Sequence, residues 1–476
     1  MKFSSLISVT ALLLFATVSA FGQSETGSIS GTVTDSSGAV VSGAQVTVTS
    51  VGTSATRATT TDSAGAYNIT NLSPSLYELK VSSQGFGDFK QRFTISPGGH
   101  SSLDATLSAR GTETVVEVTA HPETEVDTQT SSISQIVTST RVSQLPSLTR
   151  NPYDFVQTMG NVNQDSASGT GGMDQVARGA GVSINGQRSA STDALLDGGE
   201  NVDLYTTKVG QTVPLDSVQE FSVNSNNFSA EYGRASGGVI NVVTKSGSNS
   251  FHGSGYEFNR VSALTTNDVD SAANGTPKSK YTRNQFGYSF GGPILKNKLF
   301  FFSNTEWTRV RSAANIISAI PSPQFIAASS PAIQSYFSGF SLRPGLTVVG
   351  NGGPAADVAG GTTPTYAAYL ATGQPVFNLV NYLAPSDSGG GAPQNTYNMV
   401  QRVDFNVSDK TTMYGRYARF DQNEFDGFLN NSPYVGFDTG QKQVNQNFLY
   451  SLLTSGVRRW LRTRRSTSTG SIFCSP

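Results

Sequence analysis

The feature that most narrows the possible folds is an apolar run at the amino terminus that nothing later in the chain matches. Lys2 precedes Leu6 to Val18, whose centre Ala11-Leu12-Leu13-Leu14-Phe15-Ala16 ends at Ser19-Ala20, with Val18 at −3 and Ala20 at −1 of a small-residue cleavage pattern. That is a secretory signal, placed at residues 1–22. A transmembrane helix needs about twenty apolar residues, and Ser8 and Thr10 interrupt this shorter run. The mature chain is therefore expected outside the cytoplasm, and if it enters a membrane it must do so as strands.

Only 14% of the 476 residues are charged, against roughly 25% in an average soluble domain. Glycine is abundant, and the balance is rich in Ser, Thr, Asn and Gln, a mix that suits many short strands and turns rather than helix bundles. A formal net charge of −1 supplies no field for a polyanion, which argues against a nucleic-acid partner. The single cysteine, Cys474, excludes an internal disulfide framework and a cysteine zinc cluster. His100, His121 and His252 lack paired spacing, leaving little for a metal site. With no H-x-x-x-H, P-loop or G-x-S-x-G motif, the chain is not read as an enzyme, and no catalytic residue, cofactor or metal is assigned.

Gly27-Ser28-Ile29-Ser30-Gly31-Thr32-Val33-Thr34-Asp35 alternates small or polar residues with Ile and Val, then stops at Ser36-Ser37-Gly38-Ala39. The pattern of strand and turn recurs at Ala44–Thr49, Tyr67–Thr70, Leu76–Val81 and Arg92–Ile95. About seven short strands over residues 25–108 make a β-sandwich. The string G-x-I-x-G-x-V-x-D-x-x-G-x-x-V-x-G-A from Gly27 to Ala44, with T-x-D-x-x-G-x-Y from Thr60 to Tyr67, resembles the carboxypeptidase regulatory-like domain, of the carbohydrate-binding-like fold. Its glycines are expected in turns that need positive φ. No zinc ligands accompany the motif, so the resemblance implies no peptidase. It leaves open a plain spacer or a module that binds carbohydrate or a partner.

Thr114, Val115, Val116, Glu117, Val118 and Thr119 form a short β-prone segment within residues 113–120. It reads either as another strand of the sandwich or, set just after it, as similar to a TonB box. Such a segment is offered to a TonB-like periplasmic energy transducer by strand addition. Val182–Arg188, Leu195-Leu196-Asp197-Gly198, Val213–Val223 and Ser229–Gly247 follow in order. Together they closely resemble the plug of TonB-dependent outer-membrane receptors, specifically the Oar-like transporters, and residues 121–248 are assigned to it. Glu220, Glu231, Arg234 and Lys245 are candidates for ion pairs between plug and barrel wall, or are ordinary solvated charges. Asp193, Asp197, Glu200 and Asp203 do not fit an EF-hand loop, and a calcium site is set aside.

Over residues 249–456 the expected strands are Phe251 to Arg260, Asn284 to Gly292, Lys298 to Arg309, Tyr397 to Val407, Thr411 to Phe420 and Val444 to Thr454. Their connections alternate between long and short, as in outer-membrane barrels with short periplasmic turns and long external loops. Gly292–Lys298 and Ser408–Lys410 would be the turns, and 310–396 an external loop. Parity agrees: Phe286, Tyr288 and Phe290 lie opposite Gln285, Gly287 and Ser289. Tyr397, Met399, Val403, Phe405 and Val407 lie opposite Asn398, Arg402, Asp404 and Asn406, with Val400 and Gln401 breaking the pattern. Leu299, Phe301 and Trp307 oppose Asn304 and Glu306, and Phe300 and Phe302 are placed in an aromatic girdle.

Plugged transporter barrels have about 22 strands, more than this chain provides. The final segment, 457–476, carries five Arg between Arg458 and Arg465, read as a frame-shifted end or as a basic tail for anionic surfaces. The expectation is an all-β dominated chain: an N-terminal β-sandwich, a mixed α+β plug and the first strands of an incomplete transmembrane β-barrel. The resemblance implies TonB-dependent transport across the outer membrane, with outer-membrane lipid and an unidentified small molecule, carbohydrate or peptide as further partners. The alternative is a cell-surface carbohydrate-binding or adhesion protein anchored by outer-membrane strands.

Overall fold

The computed structural model describes residues 26–109, 114–115, 131–145, 147, 149–164, 181–203, 207–228, 232–267, 269–273, 278–352, 369, 371–454 and 464–474. The signal segment, Val116–Thr119 and Glu231 lie outside them. The described chain is dominated by strands, in three successive units, with only short helices.

The first unit is a sandwich. One sheet joins β1 (Gly27–Asp35) to β4 (Ala66–Leu72), β7 (His100–Ser102) and β8 (Ala105–Leu107). The other runs β3 (Thr56–Thr60), β2 (Gln45–Ser50), β5 (Ser75–Ser82), β6 (Phe89–Ile95) and β9 (Thr114–Val115). Alternation puts Ile29, Val33, Val46, Val48, Leu79, Val81, Phe93 and Ile95 in one sealed core. The two D-x-x-G stretches are matching turns: Asp35 accepts from the Ser37 and Ala39 N–H groups at 2.8 and 3.0 Å, and Asp62 from those of Ala64 and Ala66, both at 2.9 Å. Gly38 and Gly65 take the positive φ that the motif suggested, at 85° and 72°. Gly31 corrects that reading, because it lies within a strand: a Cβ there would sit 1.8 Å from the Leu103 carbonyl oxygen.

The second unit centres on a five-stranded sheet ordered β10 (Ile133–Thr138), β15 (Val218–Asn226), β16 (Gly238–Thr244), β13 (Thr192–Leu196) and β14 (Gly199–Glu200). A small pair, β11 (Val162–Gln164) and β12 (Val182–Ile184), accompanies it. Every residue of β16 is buried, Asn241 and Thr244 included. Asn224 O and Ile184 Cδ1 approach Gly238 so closely that a Cβ would lie 3.0 Å from each.

The third unit is an antiparallel sheet in chain order: β17 (His252–Val261), β18 (Tyr281–Leu295), β19 (Leu299–Pro321), β22 (Gln394–Ser408), β23 (Thr411–Glu424), β24 (Gln441–Thr454) and β25 (Arg464–Cys474). It does not close on itself among the described residues. Its short connections are tighter than expected, because β18 runs on to Leu295 and leaves Lys296-Asn297-Lys298, with Asn297 at φ 64°. The external loop is also more ordered than expected. β19 overruns to Pro321 and pairs with β21 (Phe377–Pro385), which pairs in turn with β20 (Thr347–Gly352). The last part of the basic tail pairs as β25 with Lys442–Leu452 of β24, so it extends the sheet rather than trailing from it.

One face of this sheet covers the second unit. Phe300 and Phe302, expected in a girdle, are 0% and 2% exposed, because they share the inward row with Asn304 and Glu306. Val400 does not break its strand's alternation; it points inward and joins Ala418 in the same apolar cluster as the second unit's Phe155, Phe221, Leu196 and Val242. Gln401 takes the outward row and donates from Nε2 to Ser303 Oγ at 2.9 Å. Phe286, Tyr288 and Phe290 are exposed opposite buried Gln285 and Ser289, as the alternation predicted.

Candidate functional site

The polar join between plug and wall is built around Asp197. It follows strand β13 at positive φ (53°). The side chain is 0% exposed. Its Oδ1 accepts from the Thr244 N–H at 2.7 Å, and both oxygens accept from the Thr244 hydroxyl at 3.0 and 2.9 Å. From the wall, Arg416 Nε donates to Asp197 Oδ2 at 2.8 Å and Arg402 Nη1 reaches Oδ1 at 3.4 Å. Arg416 goes on to Asn447 Oδ1 at 2.7 Å and to the Leu196 carbonyl at 3.2 Å. Arg402 also pairs with Asp404 at 2.9 Å and lies over the Tyr414 ring, 4.1 Å from its centroid. One carboxylate of the second unit thus bridges two wall guanidiniums, each with its other nitrogens also hydrogen-bonded, the condition for a buried ion pair to persist.

A second join lies across the sheet. Arg150, at φ 58°, pairs with Asp216 inside the plug and stands 3.9 Å from Glu306 Oε2 on β19. Its guanidinium lies 3.8 Å from the centroid of Phe258 on β17. Glu306 is held by Gln285 Nε2 at 2.7 Å and the Tyr256 hydroxyl at 3.1 Å. A third contact runs from Asn445 Nδ2 to the Gly210 carbonyl at 2.5 Å.

None of the described ion-pair candidates named from sequence makes these joins. Glu220 sits mid-sheet in β15, opposite Thr138 and Val243. It is buried, with Ser96 of the sandwich as its polar neighbour, and Oε1 has no hydrogen-bond partner among the described residues. Burial pushes its carboxyl up to about 8. Arg234 pairs with Glu200 inside the plug. Lys245 is half-buried beside Asp216, and burial lowers its ammonium from the ordinary value. Among the described residues no cluster of His, Cys, Asp or Glu could hold a metal ion. Of the TonB-box candidates, Thr114 and Val115 form β9, pairing in parallel with Phe89 and Lys90 of β6.

Asp197, Arg402 and Arg416 were missed because each had a plainer explanation. Leu-Leu-Asp-Gly reads as a strand end, and an arginine in a water-facing row reads as solvated. The available signal was a pair of arginines at inward positions of adjoining strands.

Strands with an apolar outer row, a second unit against their inner row and a sandwich before it are the arrangement expected of an outer-membrane protein. Residues 243–455 match the family described as Outer membrane beta barrel domain, and residues 28–108 match the Carboxypeptidase regulatory-like domain. The chain is similar to the TonB-dependent transporter Oar of Myxococcus xanthus, 29% identical over 310 residues covering 62% of this chain and 28% of Oar. It is also similar to the probable TonB-dependent siderophore receptor PirA of Acinetobacter baumannii, 28% identical over 160 residues covering 31% of this chain and 19% of PirA. It therefore spans under a third of the length of these curated relatives. Among solved structures, the outer membrane transporter YddB from Escherichia coli aligns with a TM-score of 0.42 at 14% identity, covering 68% of this chain and 37% of YddB.

Proposed function

We propose that this chain performs, or forms the N-terminal portion of a protein that performs, TonB-dependent uptake across the outer membrane, with residues 113–120 as the segment grasped by a periplasmic transducer. The observation that carries this reading is the Asp197 bridge to Arg402 and Arg416. A plug whose join to the wall includes directional polar contacts can be withdrawn along a hydrated lumen, where water replaces each of those contacts as it breaks. A wholly apolar join offers no such substitution. No bond in the cargo is made or broken, consistent with relatives that are transporters and receptors.

The test is deletion of residues 113–120 in the native bacterium, with uptake and surface binding of labelled sugars, peptides and metal chelates followed separately. Uptake of at least one compound should fail while its surface binding persists. Uptake unchanged for every compound would refute transport, and binding retained without any uptake in the parent would favour the adhesion alternative.

A further inference from the structure

The sandwich touches the wall on the side of the short turns, through one loop and the strand after it. The Asn249 N–H donates to the Gly52 carbonyl at 2.9 Å, and Asn249 Nδ2 donates to Ser54 Oγ at 3.1 Å. Asn249 belongs to the link between plug and first wall strand. It also exchanges two 2.8 Å hydrogen bonds with Asn297 in the first short turn, and Asn297 O accepts from Asn406 Nδ2 at 3.1 Å. From β3, Arg57 Nη1 donates to the carbonyl of Asp409 in the second short turn at 2.5 Å. The loop between β2 and β3 is thus tied to the plug–wall link, while β3 reaches the second turn.

The sandwich also lies across the plug. Ser96 neighbours Glu220, and a cleft of about 530 Å³ between the units is lined by Ser96, His100, Gln135, Arg141 and Met159. This seam is open and lined by polar and apolar side chains together, unlike the sealed cores on either side of it. The segment proposed to be pulled begins as β9 on the same sandwich.

We propose that the sandwich is a gate docked on the periplasmic mouth, held by the Gly52–Arg57 stretch, and that it swings off the short turns before the plug can leave. The inference rests on the transport reading for the force that opens the gate, but not for the docking itself.

The geometry supplies its own probe, because a Cβ on Gly52 would lie 3.8 Å from Ser248 Cβ, the mean separation in disulfides of about 3.8 Å. The full chain carrying Gly52→Cys and Ser248→Cys, with Cys474→Ser to remove the native thiol, should form a reductant-reversible disulfide in the outer membrane, near complete on a non-reducing gel. Adding Arg57→Ala and Asn249→Ala should cut its yield several-fold. No disulfide in a chain that reaches the outer membrane would overturn the docking.

Gating is read from Gly52→Cys in a Cys474→Ser background, where it is the sole cysteine, by its rate of maleimide labelling. Labelling should be several-fold faster in energised cells than in protonophore-treated ones, and the difference should vanish when residues 113–120 are deleted. Equal rates in energised and treated cells would overturn the gate. If uptake proves independent of residues 113–120 while the disulfide still forms, the transport reading falls and the docking stands.

Discussion

At the scale of single residues, the plug's attachment depends on a charge that cannot be removed without stranding two others. Asp197→Asn keeps the side chain's shape but leaves Arg402 and Arg416 buried with less than their full counter-charge. Breaking one partner of a buried pair typically costs about 3–5 kcal/mol. The expected result is a lower urea concentration for protease attack on the plug, with the sandwich's resistance unchanged; an unaltered plug midpoint would mean that the bridge contributes nothing to docking. Glu220 gives a pH prediction of definite sign. Its folded value of about 8 lies above an ordinary glutamate's ~4.3, so between these limits the folded chain holds a proton that the unfolded chain has released. Stability from this group is fully present below about pH 4.3, falls as pH rises towards 8, and changes little beyond. Glu220→Gln should flatten that slope and raise stability at pH 8 by several kcal/mol, at ~1.4 per unit, as read from thermal midpoints at pH 5 and 8. An unchanged slope would show the carboxyl to be hydrated. Neither role was legible in sequence, because Glu220 looked like any charge in a strand and its polar neighbour Ser96 lies more than a hundred residues earlier.

Elements were more legible than residues, and their failures share one cause. The period-two pattern located all six expected wall strands to within a few residues at their periplasmic ends, because a sheet with lipid on one side and polar groups on the other must alternate. Phe300, Phe302 and Val400 defied the polar-inside expectation because the inner row faces a folded plug with its own apolar core, not open water. In the sandwich, the D-x-x-G turns were readable from local chemistry, whereas Gly31 was not. What demands glycine there is the Leu103 carbonyl, brought alongside by the later β7–β8 connection. Gly31→Ala forces backbone apart and should cost about 1–3 kcal/mol or more. Gly38→Ala meets no atom within 4 Å and carries only the strain of φ 85°, about 1–2 kcal/mol. The two variants of the full chain, compared by protease resistance of the first unit, should rank in that order; the reverse order would show close approach to be the lesser constraint.

At the scale of the whole molecule, the claim that the wall crosses lipid turns on which medium meets its outer row. Phe286, Tyr288, Phe290, Val403, Val407 and Phe448 are all more than a third exposed in the isolated chain, a density of apolar side chains that water does not favour. Trp307 stands among them, its ring stacked 5.7 Å from Phe286 and tilted against Tyr397 at 5.8 Å. The chain holds two tryptophans, and the other, Trp460, is in the tail, so Trp460→Phe leaves Trp307 as the sole indole reporter. Reconstituted into bilayers whose acyl chains carry bromine, that variant should lose much of its tryptophan emission, since bromine quenches only within near-contact range. The loss should vary with the depth of the brominated carbon, being strongest where the Trp307 ring sits. Emission unaffected at every depth would place Trp307 in water or in protein, and the outer row would then need a protein partner rather than lipid to cover it.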